Sequence, residues 1–252
     1  METDKPSGVK AVETAGRILV VLAHAQEPVA LRELAKGGGM SPGKVHRYLA
    51  SFVASGLASQ DPGTRRYSLG PLALRLGLAA LNTHQPLREA IQLQRELRDR
   101  FDETFVLSVW GGQGPTIVHV EESSQPIVMT MRIGATLPML ATASGVVFAA
   151  HLPRHFTESL LKSAPKSGAG TNVIARDPAS IKRLIKEIRE QGYAYNPGHL
   201  MHGVSALAFP LVDAVGTLVA VLAVMGREER INPRDGAQMI AYLKDATRGF
   251  NH

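Results

Sequence analysis

The chain contains no cysteine, which excludes disulfides, thiolate nucleophiles and cysteine-based zinc sites together. Aromatic residues are scarce at 5%, with a single tryptophan, so any core has to be built chiefly from leucine, valine, isoleucine, alanine and methionine. Long apolar runs are missing as well. The longest early one, Ile18 to Ala23, falls far short of the ~20 residues that a membrane-spanning helix needs. The opening METDKPSG has neither the basic region nor the apolar region of a secretory signal, and a cytoplasmic protein is the expectation. The common catalytic signatures are absent too: no P-loop, no HExxH and no GxGxxG occurs. Gly203-Val204-Ser205-Ala206-Leu207 lacks the second glycine that lets a nucleophile elbow expose its serine. Nothing points to an enzyme or calls for a cofactor.

What remains is a globular composition. The chain has 252 residues, 44% hydrophobic and 20% charged, enough for one large domain or two ordinary ones. Basic residues exceed acidic ones by a net +6, and the pI is near 9.7, a balance that suits a polyanionic partner. Residues 1–70 hold nine Lys/Arg and six Asp/Glu.

Helical periodicity runs from Val9 to His24, with Val12, Ala15, Ile18, Leu19 and Leu22 on one stripe. A short helix, Leu31 to Lys36, buries Leu31, Leu34 and Ala35, and Gly37-Gly38-Gly39 ends it. Ser41 is placed to cap a third helix with Pro42 at its first position, running to Ser55 before Gly56. Leu57 to Gln60 and Arg66 to Leu69 then form a hairpin around Asp61-Pro62-Gly63-Thr64. After a helix at 72–82, a second α+β domain is expected. Its helices fall at 86–101, 142–151, 153–162, 178–191 and 233–250. Its strands fall at 104–110, 116–122, 126–132, 193–195, 204–212 and 217–225, and 163–171 is a flexible stretch.

On a helical wheel, Val45, Leu49, Phe52 and Val53 make the core face of the third helix, with His46 at its edge. The opposite face holds Gly43, Lys44, Arg47, Ala50, Ser51 and Ala54. Small residues let such a helix sink into a major groove, and the two cations reach phosphates or guanine edges. Arg65 and Arg66 would lie on a wing touching the flanking backbone or minor groove, and Ser41 with the helix N-terminus offers neutral donors to a phosphate. The same pattern also fits a packing or dimerisation module with ordinary solvated charges.

Leu31-Arg32-Glu33-Leu34-Ala35 and Ser41 to Tyr67, above all Val45-His46-Arg47-Tyr48-Leu49, then Gly56-Leu57, Gln60-Asp61 and Arg66-Tyr67-Ser68-Leu69-Gly70, resemble the winged helix-turn-helix of IclR-type regulators. Pro138 to Ala150 and Gly192 to Gly226 resemble the same family's effector domain. The resemblance implies a two-domain α+β protein. A winged helix-turn-helix would occupy residues 1–70, a linker helix 71–83, and a GAF/profilin-like effector domain with a curved antiparallel sheet 84–252. It implies DNA contacts from Ser41, Gly43, Lys44, His46, Arg47, Ser51, Arg65 and Arg66. Gly43 departs from the longer polar or basic residue that the family often carries there.

The resemblance further implies a pocket closed by the turn and helix around Ala141 to Gly145. The free N–H groups of Ala143, Ser144 and Gly145 and the helix dipole would favour a carboxylate. Asn196 stands where the family often has an acid, and Ala206, Ala223 and Met225 where some members have small polar side chains. Met129 and Met131 alternate on one strand beside Ile127, and His119 lies on its neighbour. The pocket is then apolar enough for an aromatic acid or a derivative. His199 and His202 are three apart, but Pro197-Gly198 places them in a loop with no third ligand, so they fit an effector's polar end better than a metal.

Implied partners are double-stranded operator DNA, a small-molecule effector and further copies of the chain. Leu72, Leu74, Leu76, Leu78 and Leu81 exceed what one buried stripe needs, consistent with a homodimer or a homotetramer. A protein-interaction adaptor or a small-molecule enzyme without DNA binding is the alternative.

Overall fold

Three short helices close over one apolar core in the first part of the chain: α1 (Lys10–His24), α2 (Leu31–Gly38) and α3 (Pro42–Ser55). The computed structural model describes residues 8–25, 27–112, 114–124, 131–163, 177–201, 203–234 and 236–250. Its contacts divide the chain into two units, Met1–Thr83 and His84–His252.

The first core follows helical spacing. Ile18 and Leu22 of α1, Leu34 and Ala35 of α2, and Val45, Leu49 and Phe52 of α3 are all buried, each helix presenting positions three or four apart. Burying a Leu, Ile or Val side chain fully is worth ~1.5–3 kcal/mol, so the five such positions, Ile18, Leu22, Leu34, Val45 and Leu49, contribute most of this core together with Phe52. The apolar stripe is narrower than the wheel implies. Val12 is 68% exposed and Val53 41% exposed, Val53 because it is rotated 100° from Phe52 and clears the core edge. α2 runs through Gly37 and Gly38 and ends only at Gly39, whose φ of +64° is left-handed.

The wing is a hairpin of β1 (Ala58–Gln60) and β2 (Tyr67–Leu69), paired antiparallel. Val29 joins it by exchanging backbone bonds with Tyr67 at 2.7 and 2.8 Å, an addition that carries no periodic signal. The turn is held by Asp61, whose Oδ1 accepts from the amide and hydroxyl of Thr64 at 2.6 and 2.7 Å. α4 (Pro71–Thr83) follows and belongs to the first unit. Leu74, Leu76 and Leu78 on it are 65%, 55% and 50% exposed.

The second unit opens with α5 (Gln85–Phe101) and is built on a five-stranded sheet. Its strands are β3 (Thr104–Trp110), β4 (Pro115–Glu121), β5 (Ala194–Met201), β6 (Val204–Val212) and β7 (Leu218–Arg227), in spatial order β4-β3-β7-β6-β5 with every pair antiparallel. α6 (Ala143–His151) lies on one face with α7 (Arg154–Ser163) and α8 (Pro178–Gln191) packed against it. α5 and α9 (Ala237–Arg248) cover the other. Every residue from Ala143 to Ala150 is buried, so α6 is a core helix without an exposed face.

Three expectations change here. Pro197-Gly198 does not make a loop: β5 continues through it with a bulge, and Gly198 takes a φ of +75°. The strand is at the sheet edge, where proline's missing donor breaks no ladder bond. The closing helix starts at Ala237 rather than Pro233, because Asn232 holds a turn, its side chain accepting from Arg234 N at 2.9 Å. Of the strand expected at 126–132, residues 125–130 lie outside the described residues, and Met131 and Arg132 are not in a strand. Residues 134–137 instead run along β4, with bonds between Gly134 and Ile117, Ile117 and Ala135, and Leu137 and Pro115 at 2.7–3.0 Å. The stretch expected to be flexible falls outside the described residues except for Ser163, which ends α7. No described helix is long and apolar enough to cross a membrane.

Candidate functional site

The exposed face of α3 is set by its start and its core. Pro42 occupies the first turn, where its missing N–H costs nothing. Ser41 makes no side-chain cap, contrary to expectation; its carbonyl accepts from Lys44 N and Val45 N, both at 3.1 Å. With Val45, Leu49 and Phe52 turned inward, Gly43, Lys44, His46, Arg47, Ala50, Ser51 and Ala54 are left exposed. His46 is therefore not an edge-of-core residue. Tyr48 takes that place, its ring 6.4 Å from that of Phe52. Ser51 donates back to the carbonyl of Arg47 at 3.3 Å, which leaves its oxygen facing outward as an acceptor.

The two wing cations are not equivalent. Arg65, in a left-handed conformation with φ +57°, stands exposed at the hairpin. Arg66, though also exposed, is engaged within its own unit: its Nη1 donates to the carbonyl of Pro28 at 2.9 Å and lies 3.6 Å from Glu33 Oε2. Glu33 also accepts from Ala30 N at 2.9 Å. Arg66 thus braces the wing against the start of α2.

In the second unit the sheet register assembles a pocket wall. Asn196 pairs with Ala206, Ala206 with Met225, and Ala223 with Val106, so these side chains share one face. They line an open pocket together with Met131, Leu137, Thr142, Ala143, Ser144, Val204 and Ser205, and its empty space, solvent at the mouth included, is about 500 Å³. Its floor is apolar and its polar end is the start of α6. Thr142 Oγ1 accepts from Gly145 N at 2.9 Å and donates to Pro138 O at 2.8 Å. The Ala143 and Ser144 amides and the Ser144 hydroxyl, on a residue only 4% exposed, have no partner among the described residues. First-turn amides are the donors that a helix cannot satisfy itself, and their field favours an anion. Opposite them, buried Asn196 donates from Nδ2 to Ala141 O at 2.8 Å.

Comparison with known proteins decides what this pair of surfaces belongs to. The profile described as "IclR helix-turn-helix domain" matches residues 11–62, and that described as "Bacterial transcriptional regulator IclR C-terminal" matches residues 79–252. The chain belongs to the IclR family. It is 28% identical to the glycerol operon regulatory protein of Streptomyces coelicolor over 96% of this chain and 95% of that one. It is 37% identical to HmgR of Pseudomonas aeruginosa, with a TM-score of 0.59 over 96% and 97% of the two chains. An IclR regulator structure from Silicibacter, 27% identical, superposes with a TM-score of 0.84 over 95% and 94%. This IclR protein is a DNA-binding transcription regulator of the helix-turn-helix type, like its named relatives.

The pocket of this IclR protein brings together seven of the expected residues: Asn196, Ala206, Ala223 and Met225 from the sheet, Ala143 and Ser144 from α6, and Met131. Gly145 is one step inside the wall. It is buried under the carbonyls of Pro138 and Met139, which a Cβ would strike, so its role is to let the preceding turn fold over α6. Met129, Ile127 and His202 lie outside the described residues, as does the side chain of His199. His119 is on the wrong face. A bulge between Leu107 and Ser108 pairs Ile117 with Ser108 but His119 with Leu107. The two residues, two apart, therefore point to opposite sides, and strict alternation could not foresee it. His119 Nδ1 meets Gln94 Oε1 at 3.0 Å, and burial lowers its pKa below the usual histidine value, followed by attraction to Glu121 in the opposite sense. Val106, Leu137 and Val204 were missed, since apolar strand residues carry no sign of which cavity they face.

Proposed function

We propose that this regulator senses an organic acid with a flat apolar body, an aromatic carboxylate being the class that fits, and that occupancy of the pocket resets its affinity for operator DNA. The observation that carries this reading is the polar end of the pocket. Two helix-terminal amides and the Ser144 hydroxyl have no partner among the described residues and stand beside a floor of Val106, Leu137, Met131 and Met225. A carboxylate satisfies those donors, and the ring fills the apolar space. An IclR homologue from Microbacterium hydrocarbonoxydans has been crystallised with 4-hydroxybenzoate; it is 18% identical with a TM-score of 0.74, and it supports the fold's capacity for such a ligand.

Lys44, Arg47 and Arg65 meet the DNA, with Gly43 allowing close approach of α3. The exposed leucines of α4 pair two copies, so that two recognition helices address a two-fold site. A ligand shifts DNA affinity only by binding the competent and incompetent arrangements differently.

The test is a thermal-shift and calorimetric series with benzoate, 4-hydroxybenzoate, phenylacetate and the uncharged 4-hydroxybenzamide, followed by anisotropy of labelled upstream DNA at two salt concentrations. The acids are expected to raise Tm and to change operator affinity, and the amide to do neither. Equal binding of acid and amide would overturn the assignment of the α6 terminus as the carboxylate site.

A further inference from the structure

The order of strands gives the pocket a polar end and an apolar end. Asn196 on β5, Ala206 on β6, Met225 and Ala223 on β7 and Val106 on β3 follow one another across the sheet face. That is three strand spacings of ~4.8 Å, or roughly 14 Å from the first to the last. The polar lining gathers at the β5 end. There Asn196 faces the start of α6 through its bond to Ala141 O, and Thr142, Ala143 and Ser144 follow directly. Ser205 on β6, the remaining polar residue of the described lining, sets its hydroxyl 3.4 Å from that of Tyr195 on β5. The other end is apolar. Val106 of β3 meets Leu137, whose amide donates to Pro115 O of β4 at 2.7 Å.

Every described residue of the lining is uncharged. Arg132 follows Met131 but is exposed and stands outside the lining. At the α6 end a negative charge still meets donors, the amides of Ala143 and Ser144 and the hydroxyl of a Ser144 that is only 4% exposed. A helix terminus carries roughly half a unit of compensating charge, enough to hold one carboxylate. At the far end a second carboxylate would lie against Val106 and Leu137, with neither a donor nor a cation. A charge taken out of water without a partner is among the costliest arrangements in a protein. Size does not forbid such a ligand, since a ring with a substituent opposite its carboxylate suits a pocket that crosses three strand spacings.

We infer that the pocket is a one-charge site, which accepts a monocarboxylate lying across the strands and rejects a dicarboxylate of the same shape. This rests on the acid-sensing reading above and narrows it. The carboxylate sits at the start of α6, and the opposite end of the ligand, which has to be uncharged, lies against Val106 and Leu137. Those two side chains are then the specificity-determining residues. The α6 amides hold any carboxylate, whereas the apolar end tells a monoanion from a dianion.

Calorimetry on the full-length protein with three rings of one shape separates charge from size. Monomethyl terephthalate carries one charge, terephthalate two and methyl 4-carbamoylbenzoate none. The monoester is expected to bind, terephthalate to bind at least about 100-fold more weakly, and the uncharged amide to bind more weakly than the monoester. Leu137→Arg sets a cation at the far end on a residue that is only half-buried, so the new side chain can reach water when no ligand is present. It should recover terephthalate binding by about 10-fold or more without improving the monoester. Terephthalate binding as tightly as its monoester in the wild type would overturn the one-charge site and leave acid sensing intact. A Leu137→Arg protein that still binds the monoester but gains nothing for terephthalate would overturn the placing of the ligand's far end. An amide that binds as well as the monoester would remove the carboxylate site itself, and the inference with it.

Discussion

Asn196 Nδ2 donates to the carbonyl of Ala141 at 2.8 Å across the pocket, with Asn196 4% exposed. The bond ties the sheet wall to the residue just before the α6 cap, so the position of the first-turn amides of α6 depends on a strand remote in sequence. Asn196→Ala leaves a buried carbonyl unpaired, at a cost of ~1–3 kcal/mol, and should lower Tm by several degrees. Asn196→Asp should do more. It loses the donor as well, and sets a carboxylate facing a carboxylate ligand. Calorimetry with benzoate should then show weaker binding in Asn196→Asp than in Asn196→Ala; the reverse order would mean that the ligand's anionic end lies elsewhere.

Arg47 and Arg66 should separate binding from folding. Arg47 is exposed on the face of α3 away from the core, so Arg47→Ala is expected to leave Tm unchanged. It should weaken operator binding and reduce the log–log salt slope by about 1 if it contacts one phosphate. Arg66 joins the wing to Pro28 and Glu33, and its loss should lower Tm while leaving the salt slope in place. Anisotropy titrations at several salt concentrations, with melting curves alongside, decide both.

How much of this was legible in the sequence varied with the kind of signal. α3 was readable because Pro42, Gly56 and the Val45-Leu49-Phe52 spacing all agree on where it starts, stops and faces. The polar end of the pocket was readable because a Thr-Ala-Ser-Gly start advertises free amides. His119 was misplaced because one bulge in β3–β4 reverses the side of the sheet, and a bulge needs no particular residue to mark it. Arginine on a hairpin is compatible with either a DNA contact or a brace; the engagement of Arg66 with Pro28 and Glu33, more than thirty residues earlier, leaves no mark in the local sequence.

Glu103 gives a pH prediction whose sign follows from its burial. It is 6% exposed, and burial raises its pKa above the usual glutamate value, opposed by the nearby Arg230. Arg230 Nε lies 2.6 Å from Oε1, yet that oxygen receives no aligned hydrogen bond, so the pair recovers only part of the desolvation. A raised folded pKa means that the stability contribution is present below the unfolded value and declines as pH rises through the folded one. Glu103→Gln should therefore gain stability relative to wild type as pH rises from 4 to 7, in urea melts at fixed ionic strength. A variant less stable than wild type at pH 7 would show that the Arg230 pair outweighs burial.

Gly43 offers the sharpest division between what the fold needs and what the DNA needs. Its backbone is helical, it is exposed, and a Cβ added there meets nothing within 4 Å, so neither packing nor conformation asks for glycine. In a helix interior glycine costs up to ~1 kcal/mol against alanine, somewhat less in a first turn. Gly43→Ala should accordingly leave Tm equal or higher. If α3 approaches the DNA closely at this turn, the added methyl should weaken operator binding even as the fold gains stability. A more stable protein that binds less tightly is a pattern that no general folding defect produces. Undiminished affinity in Gly43→Ala would place the closest approach further along the helix, nearer Arg47, and leave the glycine without a role in DNA contact.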